Sequence, residues 1–326
     1  MVSPFPYSLD NKRYHTLYYH LKHLFPERRV GKAAVDAGFT CPNLDGTRGT
    51  GGCSYCRSGG TEFAESAALP VREQVERELL RIRCKWPDAG AIAYFQSHTN
   101  TYAPADRLRA LYEEALAVPG VCGLSVATRA DCLPPDVLDL LGELNRRTYL
   151  TVELGLQTIH EETARRIHRC HGTGEFLIAY RALTERGVRV CVHLIDGLPG
   201  ETEAMMLETA RAVGELRPGG VKLHLLHVLE GTALARDWRR GALWPLGREE
   251  YVRIVCRQLE LLPPETVIER LTGDGAGDVL LAPRWSRGKR AVLGAIDRYL
   301  AEHDTFQGRL YLHAPARTAN DAHAAR

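Results

Sequence analysis

The chain has 326 residues, 44% of them hydrophobic and 25% charged, with a formal net charge of +2. That is ordinary globular composition with length for a real core, so wholly disordered, collagen-like and uniformly basic nucleic-acid-binding chains are excluded. Nine cysteines, an odd count, do not suit a secreted disulfide framework, and no apolar run reaches the roughly 18 residues needed to cross a bilayer. In chain order, the Tyr-rich stretch Tyr14–Phe25 reads as a basic helix. Short β-branched runs then alternate with longer helical patterns. Strands are expected at Lys32–Asp36, Ala91–Gln96, Gly123–Ala127, Tyr149–Leu154, Arg189–Ile195 and Val221–Val228. Helices are expected at Val71–Lys85, Ala105–Ala117, Pro135–Asn145, Glu161–Ile167 with Gly174–Arg186, and Glu203–Leu216.

Alternation of this kind builds a parallel sheet with crossover helices. Six β/α units in roughly 200 residues fall short of a closed eight-unit barrel, which takes about 250, so the expected α/β fold is an open, partial (β/α)6 barrel. Sites in such folds gather at the carboxyl ends of the strands. After Leu246 a helix (Arg248–Leu261), a strand (Thr266–Arg270), a Gly-rich loop (Gly273–Gly277) and a last helix (Gly288–His303) read as a C-terminal α/β extension packed on the barrel. The expected organisation is an N-terminal helical segment over 1–29, the barrel over 30–246, the extension over 247–313 and a disordered tail over 314–326. The first residues carry no apolar signal-peptide core, so a cytoplasmic location away from membranes is expected.

The sharpest feature is Cys41-Pro-Asn-Leu-Asp-Gly-Thr-Arg-Gly-Thr-Gly-Gly-Cys53-Ser-Tyr-Cys56, directly after the first strand. Three thiolates suit an iron–sulfur cluster, and glycines let the backbone wrap it closely. The alternative is a structural zinc knuckle, although closed zinc sites use four ligands and no second pair follows. Spacing alone leaves both readings open.

The loop, with an aromatic residue before its last cysteine, resembles the radical S-adenosylmethionine (SAM) superfamily. The long spacing is similar to that of the branch containing the Elongator catalytic subunit. Thr128-Arg129-Ala130-Asp131, Val152-Glu153-Leu154-Gly155-Leu156-Gln157-Thr158 and His193 through Gly197-Leu198-Pro199-Gly200-Glu201 resemble that branch's segments at three successive strand ends. Asp36 through Asn43, Gln96 through Pro104, Leu271-Thr-Gly-Asp274 and Ala282-Pro-Arg-Trp285 are similar to the bacterial YhcC/YtqA group. Two departures stand out: Ala130 replaces a proline, and Arg169-Cys170-His171 replaces Arg-Gly-His.

The resemblance implies a [4Fe-4S] cluster held by Cys41, Cys53 and Cys56, with SAM chelated at the open iron. It further implies Tyr55 beside the SAM adenine, Gln96 and Ser97 near its amino group, and Glu153, Gln157 and His193 around the rest of the cofactor. Glu153 and Gln157 stand four apart on one strand and so share a face. Arg129 and Asp131 are placed to bind an anionic substrate group or each other. His224 and His227 are expected on opposite faces of the sixth strand, with at most one facing the site.

By the same resemblance the substrate is tRNA, with processing of a carboxymethylaminomethyl group on the wobble uridine. The electron is expected from a donor such as a flavodoxin or ferredoxin. Lys12, Arg13, Lys22, Arg28, Arg29, Lys32, Arg284, Arg287, Lys289 and Arg290 are candidates to track phosphates, and Trp285 or Tyr14 to stack a splayed base. Two further readings stay open: the same radical chemistry on a small metabolite or protein, and a non-enzymatic, zinc-containing RNA-binding module.

Overall fold

The computed structural model describes residues 5, 11–57, 67–273 and 277–311. The tail expected over 314–326 and Asp274 of the C-terminal motif lie outside them. The chain runs α1 (Leu17–Leu24), β1 (Val30–Val35), α2 (Val71–Lys85), β2 (Gly90–Phe95), α3 (Ala105–Leu116), β3 (Val121–Thr128), α4 (Pro135–Arg147) and β4 (Tyr149–Gln157). It continues through α5 (Glu161–Arg166), α6 (Thr173–Glu185), β5 (Arg189–Asp196), α7 (Glu203–Leu216), β6 (Gly220–Leu225) and β7 (Val228–Leu229). It ends with α8 (Ala233–Arg239), α9 (Arg248–Leu261), β8 (Val267–Arg270), β9 (Leu280–Ala282) and α10 (Lys289–Glu302).

Among the described residues, seven strands form one parallel sheet in the order β1-β2-β3-β4-β5-β6-β8. It is a partial barrel, as expected, with one strand more than the six read from the sequence. The seventh strand comes from the C-terminal part, which is thereby built into the sheet. Its edge is covered by the N-terminal segment: Ile268 N donates to His15 O at 2.8 Å, and Thr16 bridges Ile268. The same Thr16 caps α1 by accepting from Tyr19 N at 3.1 Å, so that helix starts later than the Tyr-rich pattern suggests.

The strands alternate. Val126 on β3, Val152 and Leu154 on β4, and Val192 and Leu194 on β5 are buried against the helical layer. The positions between them carry Ser125, Glu153 and His193, and the neighbouring strands add Lys32, Tyr94 and Lys222 to that polar inner face. Period-2 alternation thus gives the half-barrel an apolar outside and a polar inside.

Candidate active site

The cysteine loop folds back on itself. Leu44 N donates to Cys41 O at 2.8 Å, Gly52 N to Asn43 O at 2.8 Å, and Asp45 bridges Thr50. Gly51 and Gly52 stand at φ +80° and +76°, where a side chain is disfavoured. The fold-back brings Cys41 and Cys53 to its two feet, and the turn Cys56 N to Cys53 O (2.9 Å) adds the third thiol. All three line one cavity of about 430 Å³ at the carboxyl ends of the strands.

Cys53 is buried and Cys56 exposed. A hydrogen bond from Cys56 lowers Cys53 to about 6 against the cost of burial, with help from the Arg129 charge. The same shared proton drives the Cys56 thiol upward. Asn43, fully buried, donates through Nδ2 to Cys53 Sγ at 3.4 Å and to His168 O at 2.6 Å. His168 Nδ1 lies 3.0 Å from Gly52 O, and Ser54 N donates to Ile167 O at 2.9 Å. The loop is therefore tied to the turn after α5.

That turn contains one of the two sequence departures. Cys170 has φ +61°, a left-handed position that favours glycine. It also reaches the cysteine loop, because a Cβ at Gly49 would lie 2.9 Å from Cys170 Sγ and 2.3 Å from Asn43 Oδ1. Beside it, the buried Arg169 donates to the carbonyls of Leu156, Thr158 (2.7 Å) and His171 (2.9 Å). Those bonds hold the end of β4, where the register slips between Gly155 and Gln157 and Gln157 takes φ +64°. Glu153 and Gln157 both line the cavity, although a bulge separates them.

Glu153 is the hub of the barrel interior. Its Oε1 accepts from Lys32 Nζ (2.6 Å) and Ser125 Oγ (2.7 Å). Its Oε2 accepts from Tyr94 OH (2.7 Å), His193 Nε2 (2.9 Å) and Lys222 Nζ. Burial alone would raise this carboxyl, but Lys222, Lys32 and His193 hold it well below the usual range. Glu269 accepts from Lys32 (2.9 Å) and Arg189 (2.6 Å), which overcome burial and lower it to about 2. Glu153 is thus saturated by protein partners and serves as the anchor of an internal network. Lys32 belongs to that network and points into the barrel, so it does not track phosphates on the surface.

Tyr55, Gln96 and His193 line the cavity, as Glu153 and Gln157 do. Ser97 is fully buried and is not among the lining residues; from its loop Gln96, His98 and Thr99 reach the wall. His98 is in the left-handed region at φ +58°. Arg129 and Asp131 bind each other, through Nε–Oδ1 at 2.9 Å and Nη2–Oδ2 at 2.8 Å. His224 and His227 both line the cavity, contrary to the expectation that only one would. The strand ends at Leu225, so two-residue alternation no longer governs His227. Asp196, in the Gly-Leu-Pro-Gly segment, accepts from Gln258 Nε2 at 2.6 Å, and Thr202 caps α7.

Trp285 donates from Nε1 to Leu246 O at 3.1 Å and packs on Tyr251, and Tyr14 is 6% exposed, so neither ring is offered to a splayed base. Among the described residues the most exposed large aromatic ring is Trp244, at 81%. Its neighbour Leu243 packs in the same apolar cluster as Tyr55 at the cavity wall. Arg270 was not singled out from the sequence; it lines the cavity at the end of β8. Only its place on a strand of the sheet, invisible in a four-residue run, brings it there.

A family model described as the Radical SAM superfamily matches residues 45–213, and one described as the Radical_SAM C-terminal domain matches residues 218–302. The uncharacterized protein YtqA of Bacillus subtilis is 47% identical over 310 residues, which span 95% of this chain and 96% of that protein. The tRNA uridine(34) acetyltransferase of Methanocaldococcus jannaschii is 29% identical over 156 residues, 47% of this chain and 28% of its own length. The solved structure of archaeal Methanocaldococcus infernus Elp3 has a similar fold, with a TM-score of 0.66 at 18% identity over 88% of this chain and 68% of that one.

Proposed function

The chain belongs to the radical SAM superfamily, and from that premise we propose that Cys41, Cys53 and Cys56 hold its [4Fe-4S] cluster for a radical modification of the wobble uridine of tRNA. Enzymes of this family use that cluster together with SAM. When bound, the pair supplies one-electron cleavage of the sulfonium to methionine and a 5′-deoxyadenosyl radical that takes a hydrogen atom from the substrate.

The observation that carries the reading is three thiols on the wall of one cavity, one of them held toward the thiolate. Thiolates are the ligands such a cluster needs. Arg129, whose charge acts on Cys53 and Cys56, offsets the negative charge a thiolate set concentrates. The loop offers three thiols where a closed zinc site takes four ligands, which favours the cluster over the zinc knuckle. Cys56 is exposed, so a donor such as a flavodoxin or ferredoxin has an approach to the loop.

Gln96, Gln157 and Tyr55 line the cavity and are available to orient SAM. The tRNA reading is supported by the relative named for tRNA uridine(34) and by Trp244, whose exposed face suits an unstacked base. Its finer form is processing of a carboxymethylaminomethyl group. The test is reconstituted enzyme with SAM, reductant and tRNA carrying that group, followed by mass analysis of the wobble nucleoside. A changed nucleoside is expected; an unchanged one with continued SAM cleavage points to a metabolite or protein substrate.

A further inference from the structure

At three helix ends on the side of the sheet where the strands begin, a basic residue is answered by an acid. Arg147, Arg186 and Arg217, at the ends of α4, α6 and α7, pair with Glu113, Asp139 and Glu265. Along α2, Arg72, Arg77 and Arg81 pair with Glu76, Glu73 and Glu78. The ends of α1 and α2 differ. Among the described residues, Lys22, Arg28, Arg29, Arg83 and Lys85 form no ion pair with an acid.

Aromatic faces hold two of these cations instead. The Arg29 guanidinium lies 5.2 Å from the Trp86 ring centroid and 5.6 Å from that of Tyr18, and Lys85 Nζ lies 4.6 Å from Trp86. Gly90 N donates to Arg29 O at 2.9 Å and Arg83 Nε to Ala89 O at 3.1 Å, so the starts of β1 and β2 bring the two segments together. A Cβ at Gly90 would lie 3.4 Å from Arg28 Cδ, and Lys22 Nζ donates to Pro26 O at 2.5 Å. Within residues 22–29 and 83–90 the five cations stand against two acids, Glu27 and Asp88.

Helix C-termini favour cations, which accounts for Lys22, Arg83 and Lys85. It does not account for Arg28 and Arg29, which follow α1 on the way to β1 and are exposed. Unpaired cations set among aromatic rings suit a polyanion that carries planar bases, the chemistry of RNA. In these two segments Leu24 is the exposed large aliphatic side chain, too little apolar surface for insertion into a membrane. β1 has six residues, so about 20 Å of strand separates this patch from the cavity. A small metabolite in the cavity does not span that distance, and an RNA does.

We propose that Lys22, Arg28, Arg29, Arg83 and Lys85 form a docking surface for the phosphate backbone of the substrate RNA, at the end of the barrel opposite the cysteine loop. The proposal rests on the tRNA reading above and deepens it by naming where the body of the RNA is held.

The test is titration of labelled tRNA with the reconstituted enzyme over a salt series. In an Arg28→Ala, Arg29→Ala, Lys85→Ala variant the slope of log affinity against log salt is expected to fall by about 2–3, and affinity at low salt by about tenfold or more. Arg28→Glu, which leaves the ring contacts of Arg29 in place, is expected to act in the same direction if the triple variant proves unstable. An Arg147→Ala, Arg186→Ala variant, which removes two paired arginines from the same side, is expected to keep the wild-type slope. SAM cleavage without RNA is expected to be unchanged in every variant. A triple variant and an Arg28→Glu variant that both bind as the wild type does overturn the surface, as does an equal loss in the paired-arginine variant. If the wild type does not bind tRNA, the tRNA reading fails, and a mixed-sequence single-stranded RNA decides the surface. Binding that falls in the triple variant upholds it. No binding overturns it, as does a preference for phosphatidylserine vesicles that the triple variant loses.

Discussion

Asn43 Nδ2 bridges the cysteine loop to the turn after α5, donating to His168 O at 2.6 Å while lying 3.4 Å from Cys53 Sγ. One buried amide thus sets both the position of the loop and the surroundings of a thiol. Asn43→Ala removes both contacts. Loss of such an outer contact typically lowers metal affinity about 10–100-fold. The expected outcome is faster loss of iron to a chelator at little change in the far-ultraviolet spectrum. Iron retention equal to wild type would show that the bridge is dispensable.

Cys170 occupies a left-handed position whose cost for a non-glycine residue is about 1 kcal/mol. Cys170→Gly is expected to raise stability by about that amount, and Cys170→Ala, which keeps the Cβ, is not. Urea melts of the two variants check this. The result also bears on the sequence departure at this position, since glycine is the residue this backbone favours.

Glu153 binds three cationic or potentially cationic groups inside the barrel. Glu153→Gln leaves Lys222 without its carboxylate, and removing one partner of a buried pair costs about 3–5 kcal/mol. The folded-state pKa of Glu153 lies well below its ordinary 4.5. Its contribution is therefore present above pH 4.5 and is lost as pH falls through the folded value. The deficit of the variant is expected to be full at pH 7 and to shrink in acid, as read by urea melts across pH. A deficit independent of pH would mean that packing, not charge, sets it.

Much of this network was out of reach of the sequence. Lys32 and Lys222 do show as charges within apolar strand patterns, which signals an inward-facing polar position. Their partner is chosen by strand register across the sheet, and no local pattern encodes that. The six strands of the barrel and the cysteine loop were legible because periodicity, punctuation and spacing are local. β8 was legible as a strand but not as a member of the sheet, because its pairing with β6 spans β7 and two intervening helices, α8 and α9. His227 was misplaced because the end of β6 was read three residues late.

Trp244 offers the exposed aromatic face that Trp285 and Tyr14 do not. Stacking of one base on an aromatic side chain contributes about 1–3 kcal/mol. Trp244→Ala is expected to weaken tRNA binding by about tenfold at constant salt, measured by titration of labelled tRNA. An unchanged affinity would remove this ring from the RNA-binding surface.

The most direct test of the account is anaerobic reconstitution with iron and sulfide, followed by dithionite and SAM and detection of 5′-deoxyadenosine. The account predicts about four irons per chain, formation of 5′-deoxyadenosine, and loss of both in a Cys53→Ala, Cys56→Ala variant. A colourless protein that carries about one zinc per chain and leaves SAM intact would contradict it.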